Sequence, residues 1–92
     1  MKAMLLAGIC ELEKNPEPLQ LSEIDRPEPG PGQILLRVSA CGVCHTELDE
    51  IEGRTSPPEF PVVPGHQVVG RVQSPGPGAS RFRPGDRVGV AW

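Results

Sequence analysis

Aromatic residues are scarce in this 92-residue chain, which has one tryptophan, two phenylalanines and no tyrosine. A core built with so few of them must rest on valine, leucine and isoleucine. No apolar stretch approaches the roughly 18 residues that a membrane span requires, so no membrane partner is expected. Charge of one sign is also lacking. Nine basic and twelve acidic residues are mixed along the chain, for a net charge of −3. Nothing forms a basic stripe, and nucleic acid is not expected as a partner. No G-x-G-x-x-G follows any candidate strand, so the sequence carries no dinucleotide fingerprint of its own.

What the chain has in excess is proline and glycine, at 12 and 11 residues. Such levels can mark low complexity. Here they punctuate short apolar runs, the pattern of a mainly β domain with many turns. The length allows one domain, residues 1–92, and a domain of that size buries only around 60% of its unfolded surface. Lys2 and the apolar run Ala3 to Cys10 superficially resemble a short secretory leader, but Glu11, Glu13 and Lys14 close the run early. A first β-strand is the expected reading. Without a leader, three cysteines read as cytoplasmic thiols or metal ligands and not as a disulfide framework.

The pattern predicts strands over Met1–Ala7 and, more weakly, Leu19–Ile24, followed by a stiff loop at Pro27–Gly32. Gln33–Ala40 alternates with period two. Ile34, Leu36, Val38 and Ala40 are predicted on one face, and Cys41-Gly42-Val43-Cys44 ends the strand. His45–Glu52 is the one predicted helix, with Thr46 as its cap, acids in its first turns and Gly53 closing it. Val68–Val72 is a strand that a turn at Ser74–Gly78 ends. Asp86–Trp92 is a last strand, with Val88, Val90 and Trp92 on one face. It stops without a polar cap, so the natural polypeptide is expected to continue.

The chemistry is densest at Cys41-Gly42-Val43-Cys44-His45-Thr46-Glu47. A helix N-terminus stabilises a cysteine thiolate, which is the form that zinc binds. Twenty-two positions after Cys44, Pro64-Gly65-His66-Gln67 sets a histidine between a tight loop and a strand. Two such ligands on separate loops, with a third from elsewhere, would suit a catalytic zinc with an open fourth position. Spacing alone leaves three readings open: a zinc pair, an inert buried cysteine with an ordinary histidine, and a C-x-x-C redox motif. A thioredoxin-like fold needs several helices on a sheet, and this sequence has material for one.

The opening Met1-Lys2-Ala3, Gly32 to Val38, Cys41 to Leu48, Pro61 to Val72 and Phe82 to Val88, in this order, are similar to the zinc-dependent medium-chain alcohol dehydrogenases. The chain resembles their N-terminal GroES-like catalytic domain, a partly open β-barrel with one short helix. Gly65-His66-x-x-x-Gly70, continued by Gly76 and Ala79, fits the zinc signature of that family at every fixed position but one. The resemblance implies Cys44 and His66 as ligands of Zn2+ and a structural role for Cys41. It implies Thr46 as the group that takes the alcohol's proton. It also implies His45 near the cofactor pyrophosphate, passing that proton to solvent. The implied substrate is a small-molecule alcohol or aldehyde, the implied cofactor NAD or NADP, and the implied full-length state a homo-oligomer.

Two positions depart from the family. Glu47 stands where an aspartate usually orients the histidine ligand, and Gln67 stands where a glutamate usually follows it. Such partners around a metal often carry roughly 10- to 100-fold in affinity or activity. Gln67 removes a negative charge beside the metal and is expected to leave it a stronger Lewis acid, with a shifted pH dependence. The third zinc ligand, the structural zinc lobe and the nucleotide-binding domain of the family are expected beyond Trp92. The chain is therefore expected to be an N-terminal fragment without turnover of its own. A zinc-free quinone reductase fragment and a non-enzymatic β-barrel interaction module are the alternatives.

Overall fold

The structure, a computed structural model, describes residues 1–91. In chain order the elements are β1 (Lys2–Leu6), β2 (Leu19–Glu23), β3 (Ile34–Gly42), α1 (His45–Glu52), β4 (Gln67–Pro75) and β5 (Arg87–Gly89). The mainly β class with one short helix is as the sequence predicts. No helix among the described residues is long and apolar enough to cross a membrane. The chain forms two compact units. One comprises Met1–Asp25 with Val43–Gly65, the other Arg26–Gly42 with the residues from His66 onward.

In the first unit, β1 and β2 pair antiparallel, from Lys2 opposite Glu23 to Leu6 opposite Leu19. Leu6 also exchanges both backbone hydrogen bonds with Val62, at 2.8 and 3.0 Å. Its side chain is 1% exposed, and burial of a leucine is worth about 1.5–3 kcal/mol. Ile51 is the buried apolar residue of α1. The Cys10 amide donates to the Ile51 carbonyl over 2.9 Å, and the Leu12 amide donates to Glu52 Oε2 over 3.3 Å. These two bonds tie the segment after β1 to the end of α1.

The second unit is an antiparallel sheet in the order β3–β4–β5. Its turns follow from a repeated dipeptide. The Pro-Gly pairs at 31–32, 77–78 and 84–85, three of the six in the chain, each form the centre of the same four-residue turn. The closing bonds run from Gln33 N to Gly30 O, Ala79 N to Gly76 O and Asp86 N to Arg83 O, at 3.0, 3.1 and 3.0 Å. Proline presets the second turn position, and glycine takes the positive φ that the third requires. Asp86 Oδ2 also accepts the Arg83 amide at 2.9 Å. The Val72 amide donates to Asp86 O at 2.9 Å, which fastens this turn to β4.

The predicted buried face of β3 is corrected by its register. Leu36 pairs with Val72 and Val38 with Gly70, but Ala40 pairs with Val69, leaving Ser39 as an extra residue. A bulge of this kind resets the alternation, so Ala40 falls on the face opposite Leu36 and Val38. Val38 is 56% exposed, while Val72 is 2% exposed. A second irregularity, between Leu35 and Leu36, skips Gln73 of β4. Pairing also extends both strands past their predicted ends, because Cys41 and Gly42 still find Val68 and Gln67, and Ile34 still finds Pro75. β5 is shorter than predicted, and Trp92, placed on its face by the sequence, lies outside the described residues.

Burial separates two leucines of the β1–β2 pair. Leu6→Ala should lower unfolding stability by ~2–5 kcal/mol. Leu21→Ala, at a side chain 66% exposed, should change it by under ~0.5 kcal/mol. Urea unfolding of both variants checks this, and equal losses would remove Leu6 from its place at the centre of the unit.

Candidate metal centre

The start of α1 decides where the candidate ligands point. Cys44, and not the predicted Thr46, is the N-cap residue, with an extended backbone at φ −126° and ψ −173°. Its amide donates to Glu47 Oε2 over 2.6 Å. The Glu47 amide in turn faces the Cys44 sulfur, a capping-box arrangement with cysteine in the place of serine. Thr46 cannot play this part because it is the second residue of a helix that begins at His45, and an N-cap residue precedes the first helical one. Thr46 sits half-buried in the first turn. Gly53 ends the helix in the left-handed conformation, as predicted.

Glu47 is 6% exposed, and one of its carboxylate oxygens lies within 4.8 Å of Cys44 Sγ. The helix N-terminus favours an anion there. A thiol and a carboxylate held one turn apart are donor types that zinc accepts, so the donor set of this turn fits the ion implied by the sequence. Its carboxylate caps the amide of the candidate ligand Cys44, a role the sequence reading of Glu47 missed. Reading Cys-x-x-Glu as a variant of Ser-x-x-Glu would have found it.

The other candidate ligand, His66, is half-buried and immediately precedes β4. The last pair of the β3–β4 ladder is Gly42 with Gln67. In sequence, Cys44 follows this pair by two residues and His66 precedes it by one. Gln67 is exposed, with its side chain lying across Gly42. A Cβ at position 42 would come within 2.6 Å of Gln67 Oε1, so a larger residue there would displace the Gln67 side chain from its present place. Cys41, expected to be structural, is instead an exposed residue of β3, with its Sγ 3.8 Å from Gly42 O.

His45 is the exposed member, with 77% of its side chain accessible, and its Nδ1 lies 3.4 Å from Asp49 Oδ1. Arg54 joins the same group through Nε to Asp49 Oδ1 at 2.5 Å and Nη1 to Glu52 Oε1 at 3.0 Å. The Arg54 guanidinium holds the Asp49 carboxyl below its ordinary range, with a smaller contribution from His45. It does the same for Glu52, assisted by the Leu12 amide, and its own pKa is raised by Asp49 and Glu52. Nothing in the spacing of His45, Asp49, Glu52 and Arg54 advertised this group, because Arg54 lies beyond the helix and reaches back to it.

Both carboxyls titrate lower in the folded chain than in the unfolded one. Their stabilising contribution is therefore complete above the unfolded carboxylate range, about pH 4. It is lost as pH falls through the folded values. Arg54→Gln should flatten the acid limb of a stability–pH profile below about pH 5 and leave stability near neutrality little changed, since exposed pairs are weak. An unaltered acid limb would show that the group has no such role.

Residues 30–92 match the alcohol dehydrogenase GroES-like domain family. An alcohol dehydrogenase of Geobacillus stearothermophilus is 42% identical over 82 residues, which is 88% of this chain and 24% of that protein. The cobalt- and zinc-bound thermostable alcohol dehydrogenase of Pyrobaculum aerophilum superposes with a TM-score of 0.85 at 33% identity, covering 98% of this chain and 26% of that one. A mycobacterial quinone oxidoreductase superposes with a TM-score of 0.80 at 30% identity, covering 95% and 26%. The chain thus spans about a quarter of the length of the relatives it matches. Its fold is GroES-like, and the chain belongs to the alcohol dehydrogenase GroES-like domain family.

Proposed function

We propose that this chain is the zinc-carrying part of an alcohol dehydrogenase that interconverts an alcohol and its aldehyde or ketone with NAD or NADP. Cys44 and His66 hold the zinc in this reading. The observation that supports it is the Gly42–Gln67 pair, which Cys44 follows by two residues in sequence and His66 precedes by one. When bound, zinc would supply Lewis-acid polarisation of an alcohol oxygen and a nicotinamide would supply the hydride acceptor. The protein's own residues move the proton. Thr46, in the first turn after Cys44, receives the alcohol's hydroxyl proton at Oγ1. His45 passes it to solvent, a role its 77% exposure suits. Gln67 keeps the neighbourhood of the metal free of one negative charge.

The quinone oxidoreductase similarity keeps a zinc-free reductase as the second reading, since the fold is common to both. Cys44, Thr46 and His66 together favour the first, because a thiolate and an imidazole are donors that zinc accepts and a hydroxyl can relay a proton. Zinc content separates the two. The purified chain reconstituted with zinc and dialysed should retain metal, whereas Cys44→Ser and His66→Ala should each retain at least ~10-fold less at the same free zinc. A full-length protein that is active without zinc supports the reductase reading.

A further inference from the structure

We infer that Glu47 is itself a metal donor in this chain, in addition to being the cap of the Cys44 amide. The inference rests on the zinc reading above and goes beyond it, because it adds an oxygen ligand to the sulfur and nitrogen already proposed. Three observations carry it. One carboxylate oxygen of Glu47 lies within 4.8 Å of Cys44 Sγ. Ligand bonds of about 2.3 Å from sulfur and about 2.0–2.2 Å from oxygen place a tetrahedral pair of donors near 3.5 Å apart. Sharing one ion therefore requires a side-chain adjustment on the order of an ångström.

Burial is the second observation. Glu47 is 6% exposed, and carboxylates taken out of water are hydrogen-bonded, ion-paired or metal-coordinating. The third is the division of the carboxylate. Oε2 accepts the Cys44 amide at 2.6 Å, which fixes the group one helical turn above the sulfur. A carboxylate has a second oxygen and about four lone-pair sites in all, so capping and ligation are compatible. The cap thus preorganises a thiolate and a carboxylate as a two-donor claw on a single turn of α1. Thiolate, imidazole and carboxylate together form a donor set that zinc accepts.

Cobalt(II) and zinc titrations of the 92-residue chain test this, with the thiolate-to-cobalt charge-transfer band as the optical readout. Glutamine also serves at the third position of a capping box, so Glu47→Gln should keep the helical circular dichroism. Its metal affinity should nevertheless fall by at least ~10-fold. A residue that acts only by orienting His66 loses its effect once His66 is gone, which a double-mutant cycle detects. In the His66→Ala background, Glu47→Gln should still weaken cobalt binding and shift the visible ligand-field bands.

An unchanged affinity in Glu47→Gln overturns the inference. So does an effect that vanishes in the His66→Ala background. If Cys44→Ser abolishes the charge-transfer band while Glu47→Gln changes nothing, the inference fails and the zinc reading stands. If the parent chain binds no more cobalt than Cys44→Ser, both fail together.

Discussion

The Cys44 amide meets the Glu47 carboxylate over 2.6 Å, and the direction of α1 is set at that bond. A helix leaves its first amides without intrahelical partners, and a thiol is a weak acceptor for them. Glu47 supplies the charged acceptor, and hydrogen bonds to charged groups are worth about 1.5–3 kcal/mol. Because the bond spans the residue proposed to bind metal, the contact that starts the helix also orients the sulfur. Fold and site are therefore coupled at one turn. Moving the cap to Thr46 would place Cys44 outside the helix start and lose the alignment.

The β3–β4 ladder supplies the complementary constraint. Its last pair, Gly42 with Gln67, fixes which residues leave the sheet at that end. The Gln67 side chain can lie flat only because position 42 has no Cβ. The bulge at Ser39 changes the face on which Cys41 emerges relative to Val38. Cys41 is exposed at the sheet, as is the whole of β3 from Arg37 on, while Cys44, three residues further, caps a helix. The C-x-x-C spacing thus joins two residues in different structural settings, which fits a single ligand followed by a helix better than a redox pair.

Around His45 the electrostatics are those of an exposed surface. Arg54 draws Asp49 and Glu52 together at the end of α1, and Asp49 in turn lies beside the imidazole. The imidazole is thus open to water on one side and beside a carboxylate on the other. The same group ties the helix C-terminus to Leu12 through Glu52. The charged residues of α1 therefore serve two ends of the first unit.

Much of the fold was legible because its determinants are local. The Pro-Gly turns are i to i+3 hydrogen bonds between residues adjacent in sequence. The helix from His45 to Gly53 was marked by its acids and its closing glycine. The order of the motifs identified the family and nominated Cys44, Thr46 and His66. What the sequence could not carry was anything that depends on a partner strand or a returning side chain. The resetting of β3 at Ser39 depends on what β4 presents opposite it, so strict alternation put Ala40 on the wrong face. Arg54 reaches back to Asp49 from beyond the helix, and no periodicity records that. The sequence by itself, through the order of its motifs, nominated a thiol, a hydroxyl and an imidazole as site residues. Tertiary structure alone decided that Glu47 is buried, caps Cys44 and stands beside its sulfur, because a side chain's depth and partners are properties of the folded packing.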